Sequence, residues 1–422
     1  MKKCIRIMVT VLVITLFASC TKGPASSSSA TSASSDIITA KTFDGPLVFH
    51  DQLIYGNGNE NGFYQILVRM DGNSNLSYID YQSKTNTILC NKPGCGHDVD
   101  TCPAWSDVYY NSPYLLAWKD KLIIVSPGNP YYYDEKGDKA LSKIEIANTD
   151  GSDRKILYTF DNSAFQIGDT LATDNRYLYM MVCEVDLSQT LVYRGLRYTI
   201  YALDLTTGEC SRLADFPDIK YMFLVGVAAE ELIVKIIITE PGTEYTREEH
   251  ENQTHELYGV RADGNTHFIK SWKQDELRDI FFNNMIYFVS GTSILEMDPQ
   301  SGDEKTFLEN FEFSADHIFG TFNDDAGFMI NGFKPTESGE DIIQTRCLIS
   351  TTPPSVTWLT LIDHPKGSPV IIFGASSSHF LVVTEQTNVA ENGIRVLTKL
   401  ALILKTDFYV NNPNYVMIEN AF

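Results

Sequence analysis

One turn-centred device recurs seven times along these 422 residues, and it limits the folds open to them more than any other feature. An apolar strand runs into a short polar turn and then into an aliphatic-aromatic strand. The copies are His50-Asp51-Gln52-Leu53-Ile54-Tyr55, Lys119-Asp120-Lys121-Leu122-Ile123-Ile124, Asp174-Asn175-Arg176-Tyr177-Leu178-Tyr179, Glu230-Glu231-Leu232-Ile233-Val234, Asn283-Asn284-Met285-Ile286-Tyr287, Asp324-Asp325-Ala326-Gly327-Phe328-Met329 and Ser376-Ser377-Ser378-His379-Phe380-Leu381. Repeats at such a period signal a propeller or another array.

A second mark follows each copy of the first. It is a strand ending in an Asp-x-x-Thr-Gly or Asp-Gly turn, as at Asp80 to Thr85, Asp150-Gly151, Asp204 to Gly208, Asp263-Gly264 and Asp298 to Gly302, with weaker copies at Thr352-Pro353 and Lys405 to Asp407. Asp, Asn and Ser bond their own backbone in turns, and Gly supplies the positive φ of a hairpin connection. Each unit therefore reads as two hairpins in tandem.

With Leu53, Leu122, Leu178, Leu232, Ile286, Phe328 and Phe380 as equivalent points, the spacings are 69, 56, 54, 54, 42 and 52 residues. A four-stranded blade takes about 40 to 50 residues, so these are blades with loop insertions. The strands are rich in Ile, Val, Leu, Tyr and Phe, and helical periodicity is hard to find after residue 40. The expected fold is all-β, a propeller of seven four-stranded blades with six or eight as the range. A pair of β-sandwiches is the competing arrangement.

The N-terminal region speaks to address. Lys2, Lys3 and Arg6 precede an apolar stretch, residues 7–17, that is too short to span a bilayer, which is the pattern of a secretion signal. It ends in Leu16-Phe17-Ala18-Ser19-Cys20, which resembles the lipobox of bacterial lipoproteins, with Phe17 where Leu is commoner. Residues 1–19 are thus expected to be cleaved and Cys20 acylated. Residues 20–40, mostly Ser, Thr and Ala, form an unfolded tether, and 41–422 form the propeller. Cleavage removes three basic and no acidic residues, taking the formal charge from −21 to −24. So acidic a body repels nucleic acid and anionic membranes, leaving acyl chains as the attachment to the outer face of the cell membrane. A monomer is expected.

The densest set of reactive side chains is Cys90, Cys95, His97 and Cys102, in Cys90-Asn91-Lys92-Pro93-Gly94-Cys95-Gly96-His97 closed by Cys102-Pro103. Three thiols and an imidazole are a Cys₃His ligand set for a structural zinc, although the spacing is not that of a standard zinc finger. A disulfide is equally natural in an exported protein, and a reduced structural cluster is the third reading. At this run the chain resembles a family of surface lipoproteins of Gram-positive gut bacteria that carry a similar Cys-Asn-Lys-Pro-Gly-Cys-x-His segment before a TolB-like propeller. The resemblance implies the same architecture and address, and brings no catalytic residue. Cys183, Cys210 and Cys347 read as buried strand thiols, with a Cys183–Cys210 bridge as an alternative.

If the two marks are the A–B and C–D turns of each blade, the insertions 126–141, 184–197, 240–254, 334–344 and 385–394 are B–C loops on the opposite face. The cysteine loop, read as the connection from blade 1 to blade 2, falls on that face too. Loops on a rigid scaffold commonly carry binding function. The residues expected there, Trp105, Tyr131, Tyr132, Tyr133, Tyr193, Arg194, Arg197 and Tyr245, suit a glycan, peptide or protein ligand.

Signatures of catalysis are weak: there is no Gly-x-Ser-x-Gly elbow, His-Glu-x-x-His pair or Gly-rich phosphate loop. Glu184, Asp186 and Glu385 are the carboxylates that could meet near the axis as acid and base. The favoured reading is a non-catalytic surface binding protein. The alternatives are a polysaccharide-active hydrolase or lyase, and an accessory or sensor subunit of a membrane complex.

Overall fold

The second strand of each repeat is an almost unbroken apolar run, as in Lys121–Ser126 and Met285–Ser290, where four or more successive side chains are buried. Such a strand can be satisfied only with protein on both faces of its sheet. Stacking sheets around a ring provides that. The computed structural model describes residues 42–421 except 52, 54, 69–73, 107–111, 188–194, 240–252, 275, 336–341, 363–366 and 390–394. The expected signal segment, the tether with Cys20, and Tyr193, Arg194 and Tyr245 lie outside the described residues.

The described residues form a seven-bladed β-propeller of antiparallel four-stranded blades, spanning 57–88, 114–159, 165–217, 221–273, 277–308, 318–359 and 371–417. Seven apolar clusters lie between successive blades, closing with Phe63 and Ile79 of blade 1 against Leu381, Val383 and Leu402 of blade 7. Leu122, Ile124, Leu178, Ile233 and Phe328 are fully buried and Tyr287 nearly so. Each such side chain contributes about 1.5–3 kcal/mol of transfer free energy.

The two sequence marks are the A–B and C–D turns of the blades, with one correction. The first copy of the device, at His50 to Tyr55, is not the A–B turn of blade 1. That turn is Glu60-Asn61, between Asn57–Asn59 and Gly62–Val68, so Phe63 replaces Leu53 as the equivalent point and the first spacing becomes 59 residues. Val48–His50 is instead a fifth strand of blade 3, antiparallel to its inner strand with Val48 opposite Thr173 and His50 opposite Leu171. At the other end, Glu419–Asn420 runs parallel to the outer strand of blade 1, Thr85–Ile88. Consecutive strands build every blade, and this outer addition ties the C-terminal segment to blade 1.

Glycines in the inner strands shape the channel. In blades 4, 6 and 7 the A–B register slips beside Gly226, Gly320 and Gly374, the mark of a bulge. A Cβ on Gly226 would sit 2.4 Å from the Phe281 ring of the next blade, and one on Gly374 would sit 2.6 Å from Phe63. The bulges thus let aromatic rings of neighbouring blades close in around the axis.

Candidate functional site

The short-turn face is stitched from blade to blade. The Ala117 N–H donates to Asn57 Oδ1 at 3.1 Å, Trp118 Nε1 to the Asp174 carbonyl at 3.2 Å and Lys119 Nζ to that of Asn175 at 2.6 Å. Farther round, the Ala229 N–H reaches the Asn284 carbonyl and the Glu230 N–H reaches Asn284 Oδ1, both at 3.1 Å. Asn323 Nδ2 donates to the Phe281 carbonyl at 2.8 Å, and the Ser377 N–H meets the Glu60 carboxylate. Between blades 3 and 4 the chain preceding blade 1 takes over. Phe43, Leu47 and Phe49 pack into that inter-blade core, the Asp44 N–H donates to Asp174 Oδ2 at 2.8 Å while its carbonyl accepts from the Asn175 N–H at 2.9 Å, and Phe43 meets Tyr179 edge-on at 5.2 Å.

This N-terminal arm enters the channel at the short-turn mouth, descends along blade 3 and turns back at Leu53 to Gly56 into blade 1. It leaves a cavity of about 1140 Å³ on its far side, walled by the arm and by the inner strands and turns of blades 4 to 7 and 1. Phe49, Phe281, Phe322 and Phe373 supply apolar wall, and Tyr55 stacks on Phe373 at 5.0 Å. Asp51, Glu230, Glu231, Asp324 and Asp325 supply carboxylates against the single guanidinium of Arg261.

Most of these acids are already engaged. Glu231 accepts from Arg261 Nε at 2.8 Å, with His267 Nδ1 at 3.4 Å. Asp324 is buried against Lys405 and the Tyr409 hydroxyl. Asp51 has surface open to the cavity but is enclosed by protein within the channel, and that enclosure pushes its carboxyl above the usual range. Burial lowers neighbouring His50 to about 4, so it stays neutral, with Nε2 2.9 Å from Thr173 Oγ1. At the rim, Ala229 and Glu230 both have left-handed backbones, φ 49° and 61°, and the Glu230 side chain is exposed. Two non-glycine residues in that region store strain of about 1–3 kcal/mol each.

The aromatic and basic residues expected on the long loops do not line this cavity. Tyr131 is exposed and Tyr132 and Tyr133 half-buried, in the short helical turns of the blade 2 B–C loop. Arg197 lies near the start of strand C of blade 3, Gly195–Asp204, opposite Glu184 and beside a hollow of about 20 Å³, which holds little more than one water. Trp105 lies in the connection from blade 1 to blade 2, between Ile88 and Tyr114. It bridges to Asn75 at the outer edge of blade 1, and its carbonyl accepts from Arg154 at 2.9 Å. Glu385 pairs with Lys399 at 2.6 Å in blade 7 and Glu184 belongs to blade 3, so these two acids sit in different blades. The axial cavity is hard to see in the sequence because each blade that walls it contributes only two or three ordinary strand residues, with a few from its turns. The inner-strand glycines were the signal that marked it.

The cysteine loop leaves and rejoins the outer-strand position of blade 1. Leu76 pins its neck, accepting from the Leu89 N–H at 2.9 Å and donating to the Ala104 carbonyl at 2.7 Å. Cys90 borders a cavity of about 650 Å³ whose walls include the turn residues Asn61, Lys119, Asp120, Thr149 and Asp150, so this part of the loop is approached from the short-turn side. All described cysteines are free thiols. The donor atoms of Cys90, Cys95, His97 and Cys102 lie within 4.8 Å of one another, a set that could hold a metal ion such as zinc. Cys183 and Cys210 pack into different inter-blade cores on opposite faces of blade 3.

No protein-family model matches the chain, and no curated protein sequence is significantly similar to it. Solved structures share its fold. An acylaminoacyl peptidase in complex with Z-Gly-Gly-Phe-chloromethyl ketone superposes with a TM-score of 0.52 at 9% identity, over 88% of this chain and 52% of that one. The propeller domain of the trilobed protease of Pyrococcus furiosus gives 0.49 at 8%, over 88% and 97%. An oligogalacturonate lyase of Vibrio parahaemolyticus gives 0.48 at 12%, over 80% and 88%. The chain thus spans about half the length of that peptidase, and at such identities the likeness is one of fold alone.

Proposed function

We propose that this is a lipid-anchored, extracytoplasmic binding protein, non-catalytic, that takes a cationic peptide segment into the axial cavity at its short-turn mouth. The sequence pointed to the long-loop face. The cavity favours the opposite mouth, because a hollow of about 1140 Å³, large enough for a ligand, opens there. The observation that carries the reading is the lining: phenylalanine walls beneath a rim of carboxylates, which suits a basic side chain through charge and cation–π contact. Glu231 and Asp324 are held in ion pairs, an arrangement for fixed charge and not for proton transfer. The lipobox-like segment and the acidic body support the address.

Full-length protein in detergent should bind short Lys/Arg peptides with an affinity that falls as salt rises, and Glu230→Gln should weaken it about 5-fold. Peptide binding indifferent to Glu230 and salt, or turnover of a polysaccharide, would replace this reading with a neutral-ligand protein or a hydrolase or lyase. Cys20→Ala should release the protein from the membrane fraction; unchanged fractionation removes the lipid anchor from the proposal.

A further inference from the structure

We propose that Cys90, Cys95, His97 and Cys102 form a closed zinc site that clasps blade 1 to blade 2. A disulfide would need only two of the three sulfurs and would give His97 no part. Here all four donors converge, with His97 Nδ1 3.5 Å from Cys102 Sγ.

The surroundings of the four donors fit a thiolate site. The backbone N–H of His97 faces the Cys95 sulfur and that of Ala104 faces the Cys102 sulfur, the outer hydrogen bonds that stabilise metal-bound thiolates. The imidazole is brought round by a left-handed backbone at His97, φ 57°, uncommon for a residue with a side chain. That conformation is held from the core, where Asn75, fully buried, donates from Nδ2 to the His97 carbonyl at 3.1 Å.

Zinc is the ion the donors select. Three sulfurs and one imidazole nitrogen make a tetrahedral set for a borderline-soft ion, and with all four positions filled by protein no place is left for water or substrate. The site is therefore structural. Binding exchanges the thiol protons for the metal, so uptake should strengthen as pH rises. What zinc would secure is visible at the neck. The loop interrupts the outer strand of blade 1 between Leu89 and Ala104, and Arg154 of blade 2 reaches the carbonyls of Pro103 and Trp105 at 3.3 and 2.9 Å while its other nitrogens hold Glu145. This proposal does not depend on which ligand the axial cavity takes.

The full chain, purified in detergent without chelator, should carry one zinc per chain by elemental analysis. Cobalt in its place should give the absorption of a tetrahedral thiolate complex. His97→Ala, a change at a half-buried loop position, should weaken metal affinity at least 10-fold while leaving the fold intact by circular dichroism, and Cys95→Ser should lower occupancy in parallel. Zinc-free protein whose mass increases by two hydrogens on reduction would overturn the proposal in favour of a disulfide. Zinc-free protein with every loop thiol open to alkylation would overturn it in favour of a reduced cluster, and full occupancy in both variants would place the metal elsewhere.

Discussion

Blades 1 and 3, on either side of blade 2, are opposite solutions to one problem. Blade 3 is amply supplied, with strands of 9, 9, 10 and 8 residues and turns that satisfy themselves. Asp174 accepts from the Arg176 and Tyr177 N–H groups and from the Tyr179 hydroxyl, each at 2.7 Å, and from the Asp44 N–H at 2.8 Å. Asp204 accepts from the Thr206 N–H and hydroxyl, the Thr207 N–H and Arg176. Blade 1 has an inner strand of 3 residues and an outer strand of 4, and relies on additions from elsewhere: residues 104–106, the cysteine loop and Glu419–Asn420. Blade 3 takes the arm strand on top of a full set of four; blade 1 needs borrowed segments to complete a short one.

The largest effect should come from removing the turn on which blade 3 and the arm both depend. Asp174→Ala deletes a buried acceptor with four donors, leaves them unpaired, and should cost about 3–4 kcal/mol in urea unfolding. A loss below about 1 kcal/mol would show that blade 3 is no better self-supported than blade 1.

A smaller effect, dependent on pH, should follow from Asp204→Asn. Burial acts to raise the Asp204 carboxyl, but the bonds from Thr206, Arg176 and Thr207 outweigh it and hold the group well below the usual carboxylate range. A depressed native pKa means the stabilisation is complete above the unfolded value, about 4, and is lost as pH falls through the native one. The gap between wild type and variant should be widest at neutral pH and close below about pH 4. A gap that stays constant with pH would mean that the charge of Asp204 does not stabilise its turn.

The least effect is expected at the outer edge of blade 1. Ending the chain after Ile418 removes the parallel pairing with Thr85 and Asn86, including the bonds from the Glu419 N–H to the Lys84 carbonyl and from the Ala421 N–H to that of Asn86, and the bond between the Asn86 and Asn420 side chains. The expected loss is about 1–2 kcal/mol, with hydrogen-exchange protection falling in residues 85–88 and not in blade 3. Loss of protection around the whole ring would make this strand the main closure and blade 1 the dominant element.

The turn doublets were legible because the conformations they need are written locally, in Asp, Asn and Gly. The repeat length followed from them, and so did the blade count. His50 to Tyr55 misled because it carries the same local pattern, while its pairing is set by Leu171 to Thr173, some 123 residues away. No local rule reports such a contact. The axial cavity failed to show for a related reason: Phe281 and Phe373 look like any inner-strand aromatic until the ring closes. The cysteine cluster was legible as a ligand set, whereas its position on the outer edge of blade 1 depends on Leu76 bonding both ends of the loop.

The route of the arm bears on how this molecule carries a load. Because the chain enters at the short-turn mouth and runs down blade 3 with Val48 opposite Thr173 and His50 opposite Leu171, a pull from upstream of Thr42 acts along that strand. Its hydrogen bonds, perpendicular to the strand, are then strained together in shear and not opened one after another. Tension on the N-terminal side is thereby delivered to blade 3, whose strands are long, and blade 1, next in the chain but with an inner strand of only 3 residues, is spared until the arm slides free.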